Sequence, residues 1–326
     1  LVNDKGKAIA WYQEAPYNNL CPTDKYDNTK CLTGCVATAA AQVRYKWRYP
    51  EKGTGSKTYT WYDCLDDYCE NYSEKNLSAN FGATTYDWAN MLPAYEGVSA
   101  TSAQKTAVAT LMYQLGVACE MEYGGDKIGG SGAFTDMMGD GLRKYFGYRV
   151  GKFITQYSKS GYNSNGYQCA MSDVAEYNVT TEQFVQYFNE DLEAGRPVIM
   201  GGESSDGGHE FVCDGRNSSG YFHINWGWEG DGNCYCLLSS LKPSGYSYKF
   251  STNIDALIGV EPSNREIIKV TGVTVAPATL TLKINEKQSV TATVAPANAF
   301  TKTVTWASSN TGVATVSETG VVKGKA

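Results

Sequence analysis

All 24 tyrosines, all ten cysteines and both histidines of this 326-residue chain lie before residue 262. A side-chain repertoire that changes so abruptly does not suit one shared core, and the length already exceeds that of an average domain. The chain is therefore read as two domains, 1–262 and 268–326, with Glu261-Pro262-Ser263-Asn264-Arg265 as the linker. From Val270 onward Thr, Val and Ala dominate in alternating runs: Val273-Thr274-Val275, Thr279-Leu280-Thr281-Leu282 and Val290-Thr291-Ala292-Thr293-Val294. Period-two patterning of β-branched residues, broken by Pro277, Pro296, Asn298 and Gly312, predicts antiparallel strands. This second region offers no catalytic side chains, which places the chemistry in 1–262.

The bulk numbers narrow the class. A composition 42% hydrophobic and 19% charged is that of a globular protein with a sizeable core. No run approaches 18 apolar residues, so no membrane-spanning segment is expected. A net charge of −6, with no Lys/Arg cluster, argues against nucleic acid as a partner. Ten cysteines suit an extracytoplasmic protein, secreted or at the cell surface. Leu1 is not an initiator Met and no leader precedes it, so the chain reads as a processed form of a longer precursor. Cys64 and Cys69 are five apart, and on one continuous helix they would lie beyond the ~7 Å a disulfide tolerates. A bridge between them needs a turn.

Within 1–262 helical and strand signals mix, and the fold class is α+β with helices early and strands late. Residues 103–119 place Ala107, Val108, Leu111, Met112, Leu115 and Cys119 at helical spacing. Residues 181–194 repeat the pattern with Phe184, Val185, Phe188 and Leu192. Thr180 and Gln183 have capping-box spacing at the second helix, and Gly195 and Pro197 end it. Pro197-Val198-Ile199-Met200 reads as a strand, followed by a glycine-rich loop and two strands joined at 216–220.

Three signals carry chemistry. In Thr33-Gly34-Cys35-Val36-Ala37-Thr38-Ala39, small helix formers follow Cys35 directly, so Cys35 is expected to open a helix. The positive end of the helix dipole there would favour thiolate, the form that attacks a carbonyl carbon, and Gly34 would keep bulk away from substrate. A buried structural cysteine is the plain alternative. In Gly207-Gly208-His209-Glu210, His209 starts a strand after a glycine pair and can project into a cleft as a general base. The other histidine, His223, lies between aromatics in mid-strand and reads as packing. In Asn225-Trp226-Gly227-Trp228, Asn225 can accept a hydrogen bond from the imidazole and Trp226 can shield it, while Trp228 reads as aromatic core. The order Cys, distant His, then Asn-Trp is that of papain-like enzymes. Another thiol enzyme, such as an amidase or transglutaminase, would share the Cys–His pair. A zinc site at His209, Cys213, His223, Cys234 and Cys236 fits poorly, because Cys-Tyr-Cys does not match common zinc hooks.

These stretches resemble the streptopain family of bacterial cysteine proteases. The resemblance runs over about 11–259 and includes Ala15-Pro16-Tyr17-Asn18-Asn19, the Cys35 motif with Tyr49-Pro50, Tyr86-Asp87-Trp88, Lys144-Tyr145-Phe146-Gly147-Tyr148, Gly208-His209 and Asn225-Trp226-Gly227-Trp228. It implies a papain-like fold, a secreted precursor with an N-terminal inhibitory prodomain, and endopeptidase activity on protein or peptide substrates without metal or cofactor. It makes Cys35 the nucleophile and His209 the base, with Asn225 and Trp226 orienting and covering the imidazole. It also places Gln13 at the oxyanion hole, where one donor is worth about 2.7–4 kcal/mol. Ser131, in the loop Gly124–Gly132, and Gly208 are the candidate substrate contacts. The segment after Trp228, with Cys234-Tyr235-Cys236 and Gly245-Tyr246-Ser247-Tyr248, departs from the family's glycine-rich loop. Residues 268–326, with their Thr/Val strands and Trp306, resemble bacterial immunoglobulin-like group 2 domains and are expected to form a truncated module. The alternative function is an adhesin or binding module on a catalytically inactive papain-like fold.

Overall fold

The alanine-rich run after Cys35 becomes the helix around which the first unit is built. The computed structural model describes the chain apart from residues 4, 165, 206, 267–269, 297, 298, 300–303 and 326. Asn298, and the outermost positions Ile268 and Ala326 of the expected second domain, lie outside the described residues. The chain divides into two compact units, Leu1–Asn264 and Arg265–Ala326.

In the first unit α1 spans Cys35–Trp47, and every side chain from Val36 to Tyr45 is buried. Its alanines let it lie close against its neighbours, because a methyl group adds little thickness at a helix interface. A hairpin follows, β1 (Ser56–Cys64) and β2 (Tyr72–Asn80), paired antiparallel from Ser56–Asn80 to Cys64–Tyr72. This early hairpin departs from the expected order of helices first. Its connection supplies the turn that a Cys64–Cys69 bridge requires, and the two are disulfide-bonded with Cα atoms 4.8 Å apart. Next come α2 (Ser102–Ala118), α3 (Thr135–Phe146), β3 (Tyr148–Arg149), β4 (Lys152–Thr155), the short α4 (Lys159–Tyr162) and β5 (Ala175–Glu176).

The helix α5 (Thr181–Glu193) starts with the expected capping box: Thr180 Oγ1 accepts from Gln183 N at 3.3 Å, and Gln183 Oε1 accepts from Thr180 N at 2.9 Å. The remaining strands are β6 (Val198–Ser204), β7 (Gly207–Arg216), β8 (Phe222–Asn225), β9 (Cys234–Cys236), β10 (Thr252–Ile258) and β11 (Glu261–Pro262). Among the described residues β4 to β10 build a seven-stranded sheet in the order β5-β4-β10-β6-β7-β8-β9, while β11 pairs with β3. Its pairings are antiparallel except for β4 with β5. The helix α1 packs on β7 and β6, so the end of the helix that carries Cys35 meets the strand that carries His209.

The expected glycine-rich loop after Met200 is a correction. Gly201 and Gly202 lie inside β6, and Gly207 and Gly208 inside β7, in the register Gly202–His209 and Glu203–Gly208. Gly201 and Gly202 serve close approach: a Cβ at Gly202 would sit 2.4 Å from the Phe250 carbonyl oxygen.

In the second unit β12 (Gly272–Ala276) pairs antiparallel with β14 (Thr291–Ala295), while β13 (Lys287–Ser289), β16 (Val321–Gly324) and β15 (Ala314–Val316) form a sheet in the order β13-β16-β15. Two of the three expected alternating runs are strands. The third, Thr279–Leu282, is extended sequence without a ladder partner among the described residues. Alternation alone does not supply a neighbouring strand.

Candidate active site

Cys35 is the first residue of α1. Its N-cap, Gly34, has φ 82° and makes no side-chain capping bond, so the helix's first N–H groups are not consumed by a cap. Gly34 is needed for this backbone, and also for space. A Cβ there would lie 2.5 Å from Met121 Sδ and Cε, so the glycine accommodates the core of the protein, and the expected role of keeping substrate access open does not hold. Thr38 fixes the turn, its hydroxyl donating to the Gly34 carbonyl at 3.0 Å.

A cleft of about 770 Å³ opens here, with Cys35, Gly208, His209 and Ser131 all in its wall. His209 Nε2 donates to the Trp226 carbonyl oxygen at 2.7 Å, which leaves Nδ1 as the basic nitrogen. The imidazole is stacked against Trp228 (centroids 4.9 Å apart, 25° between planes), with Phe250 at 5.3 Å and Phe211 at 5.9 Å. Tyr246 and Tyr248 pack on the other side of Trp228, at 5.2 and 6.4 Å, so the segment after Trp228 builds an aromatic wall.

Burial moves both members of the pair toward neutrality. The His209 imidazole is lowered to about 4 by desolvation, against a smaller opposing effect of its bond to Trp226. The Cys35 thiol is raised to about 11 by burial and then by the Glu210 charge, while the backbone N–H groups of Glu210, Val36 and Cys35 act in the opposite direction. Burial of Cys35 thus opposes the thiolate that the helix terminus is expected to favour. Desolvation of an anion exceeds what a few peptide dipoles return.

Two supporting roles differ from expectation. Asn225 does not bond the imidazole. It is buried, its Nδ2 donates to Ile9 O at 2.8 Å and to Gln42 Oε1 at 3.0 Å, and its Oδ1 accepts from Gly227 N at 3.0 Å. It therefore shapes the bend that presents the Trp226 carbonyl to His209. The Trp226 ring does not cover His209 either; it lies in the core with its ring 4.5 Å from Phe211. The covering ring is that of Trp228. The strand ends at Asn225 and Gly227 turns the chain with φ 74°, so period-two alternation does not carry from Trp226 to Trp228 and the two rings take different places.

The remaining expected residues are placed as follows. Gln13 is half-buried, and its carbonyl accepts from Thr33 N at 3.1 Å, which ties residue 13 to the segment entering α1; the cleft lining does not include it. Ser131 lines the cleft, but its hydroxyl is committed: it donates to Leu32 O at 2.7 Å and accepts from Gly124 N at 3.0 Å. It latches its loop to the residues before Cys35, and only its backbone is left for substrate. Gly208 is exposed in the cleft wall, where a Cβ would meet only ordinary contacts, Gly202 O at 3.9 Å and Glu203 Cγ at 4.0 Å. His223 lies apart, bonded through Nδ1 to Asp214 at 2.5 Å. No group of three or more His, Cys, Asp or Glu among the described residues is arranged to hold a metal ion.

The sequence matches the model of the peptidase C10 family over residues 11–236. The chain belongs to the peptidase C10 family. Residues 269–326 match the bacterial Ig-like domain (group 2). Streptopain of Streptococcus pyogenes is 30% identical over 275 residues, which are 80% of this chain and 62% of streptopain. The chain thus spans less than two thirds of that relative's length. The thiol protease/hemagglutinin PrtT of Porphyromonas gingivalis is 29% identical over 264 residues, 79% of this chain and 27% of PrtT. In structure the chain is similar to active wild-type interpain A of Prevotella intermedia, a cysteine protease, with TM-score 0.61 and 38% identity over 77% of this chain and 93% of that one. A prointerpain A fragment superimposes with TM-score 0.58, again at 38% identity, over 77% of this chain and 70% of the fragment. Within this C10 fold, a mixed helix-and-sheet papain-like architecture, sequence reasoning missed Trp228 and Gln42. The spacing of Trp226 and Trp228 on either side of Gly227 was the available signal for the first. Nothing local marks the second.

Proposed function

We propose that the chain is a cysteine endopeptidase in which Cys35 attacks the scissile carbonyl and His209 moves the proton. The observation that carries this reading is the meeting, in one cleft, of a thiol at an uncapped helix N-terminus and an imidazole whose other nitrogen is already fixed by a backbone carbonyl. His209 Nδ1 takes the thiol proton as the sulfur–carbon bond forms. The tetrahedral oxyanion is stabilised by the Cys35 backbone N–H and by the Gln13 amide. Protonated His209 then donates to the leaving amine, and the imidazole activates water to hydrolyse the thioester. Asn225 acts through the Trp226 carbonyl as a positioning residue. We further propose that residues 1–262 are the proteolytic domain and 268–326 an immunoglobulin-like extension. An N-terminal prodomain in the precursor and an extracytoplasmic location follow the same reading. Among the described residues no helix is long and apolar enough to cross a membrane.

The test is proteolysis of an unstructured protein under reducing conditions by the chain and by Cys35→Ala. Fragmentation by the chain and none by Cys35→Ala is expected. Fragmentation that survives the substitution would eliminate the mechanism, and its absence from both would favour a binding module.

A further inference from the structure

Glu210 follows His209 directly, yet the proposed acyl transfer gives its side chain nothing to do. The strands β10, β6 and β7 are neighbours, and their register sets Asp255 opposite Gly201 and Gly201 opposite Glu210. Residues directly opposite one another share a face of the sheet, so these three form one row across it. The central position of the row has no side chain. A Cβ at Gly201 would lie 2.6 Å from Glu210 Oε2 and 2.9 Å from Asp255 Oδ1, so both carboxyl groups lean over the glycine. At the start of α3, Thr135 Oγ1 contacts both, 2.8 Å from Glu210 Oε2 and 2.9 Å from Asp255 Oδ1. A hydroxyl owns one hydrogen and can donate to only one of them. With both carboxyls ionised the arrangement is one donor short.

Two observations on this row point to a ligand. Glu210 is only 4% exposed, and its Oε1 has no hydrogen-bond partner among the described residues. A buried, unpartnered carboxylate oxygen is costly and seldom kept without a use. Secondly, the cleft wall holds Glu203, Glu210 and Asp255 but no Lys or Arg. Glu203 is already occupied, accepting from Tyr157 Oη at 2.5 Å and from Asn253 Nδ2 at 2.7 Å. Glu210 and Asp255 have no cationic partner among the described residues. The rings of Tyr157, Tyr162 and Tyr167 line the same cleft, and aromatic faces attract cations.

We propose that the Asp255–Gly201–Glu210 row is a substrate subsite that receives a basic side chain, arginine above lysine. The proposal rests on the peptidase reading. A guanidinium has five N–H donors in a planar fork, enough to reach Glu210 Oε1 and Asp255 together and supply the missing donors. The Glu210 backbone N–H faces the Cys35 sulfur, so a side chain held there belongs to a residue next to or near the scissile bond.

The experiment compares kcat/KM for pairs of internally quenched peptides that differ only by arginine or norleucine, placed in turn at each position before the cleaved bond. One position should favour arginine at least tenfold, equivalent to about 1.4 kcal/mol. That ratio should fall to near one in Glu210→Gln and in Asp255→Asn. It is read within each variant, so a general loss of activity cancels, and either variant suffices if the other fails to fold. A ratio near one at every position in the unaltered chain, or one that survives both substitutions, overturns the subsite. Binding of Nα-acetyl-arginine amide against Nα-acetyl-norleucine amide to Cys35→Ala, followed by NMR, separates the two readings. Selective arginine binding by a chain that cleaves nothing retains the subsite and removes the peptidase. Cleavage without arginine selectivity does the reverse.

Discussion

His209 and Glu210 are consecutive residues of one strand, and they face two unlike walls of the same cleft. His209 sits among rings, with Trp228 at 4.9 Å and Phe250 at 5.3 Å. Glu210 sits among oxygens, against Thr135 and beside Asp255. Burial has the same sign of effect on both walls, disfavouring charge: the imidazole falls to about 4, Asp255 rises to about 7 and Glu210 rises as well. What differs is completeness. On the aromatic wall the Trp226 carbonyl holds Nε2 of the imidazole and leaves Nδ1 facing the cleft. The acidic wall, once ionised, has more acceptors than donors, so it either holds a proton or takes a partner from outside. On the reading proposed above, the aromatic wall holds the reacting pair and the acidic wall selects the substrate.

The sharpest way to break this comparison is to open the aromatic wall. In Trp228→Ala water should reach the imidazole, and the His209 pKa should climb from about 4 toward its ordinary 6.5. With two histidines in the chain, both ring Cε1–H signals can be followed by NMR, and His223, held by Asp214, serves as the internal reference. A rise of about one unit or more is expected, with kcat/KM lowered by roughly tenfold as the ring loses its stacking support. An unmoved His209 titration would show that Phe211 and Phe250 alone keep the base dry.

The next effect is on stability. Asn225 joins the two halves of the site without touching the imidazole, through Ile9, Gln42 and Gly227. Asn225→Ala leaves the Gln42 amide and the Gly227 N–H with fewer partners, and the unfolding free energy in urea should drop by about 1–3 kcal/mol. Activity of the folded fraction should fall mainly in kcat, because the Trp226 carbonyl is displaced while the substrate walls are intact. A loss confined to KM would contradict the positioning role.

How far the sequence speaks follows from which of these features are local. Cys35 at a helix start and the Thr180–Gln183 capping box were legible because each depends on residues within one turn. His209 was legible because its competitor His223 was flanked by aromatics. The exchange of roles between Trp226 and Trp228, and the turning of Asn225 away from the imidazole, depend on a bend between β8 and β9 that no periodicity encodes. Gly201 and Gly202 looked like a loop because glycine usually marks one. Their reason is the close approach of Glu210, Asp255 and the Phe250 backbone, contributed from other strands. The acidic row is the extreme case, since its members lie 9 and 45 or more residues apart and meet only through register.

The smallest effect tests the acidic wall without any substrate. In the unfolded chain Asp255 titrates near 3.8 and Glu210 near 4.5, whereas in the fold Asp255 is raised to about 7 by burial, and then by Asp136 and Glu203, against the Thr135 bond. Between those limits the folded chain holds more protons than the unfolded one. Its stability is therefore fully present below about pH 4 and is lost progressively as pH rises through about 7. Asp191, raised to about 6 by burial despite Arg196, acts in the same direction, so the informative quantity is a difference between two proteins. Asp255→Asn removes one of the two coupled carboxyls and leaves Glu210 facing a neutral amide. Urea unfolding of both proteins across pH 4–8 should give a stability difference that favours the asparagine variant increasingly toward neutral pH. A difference that does not vary with pH would mean that the two carboxyls already have their counter-charge, and that the wall is complete as it stands.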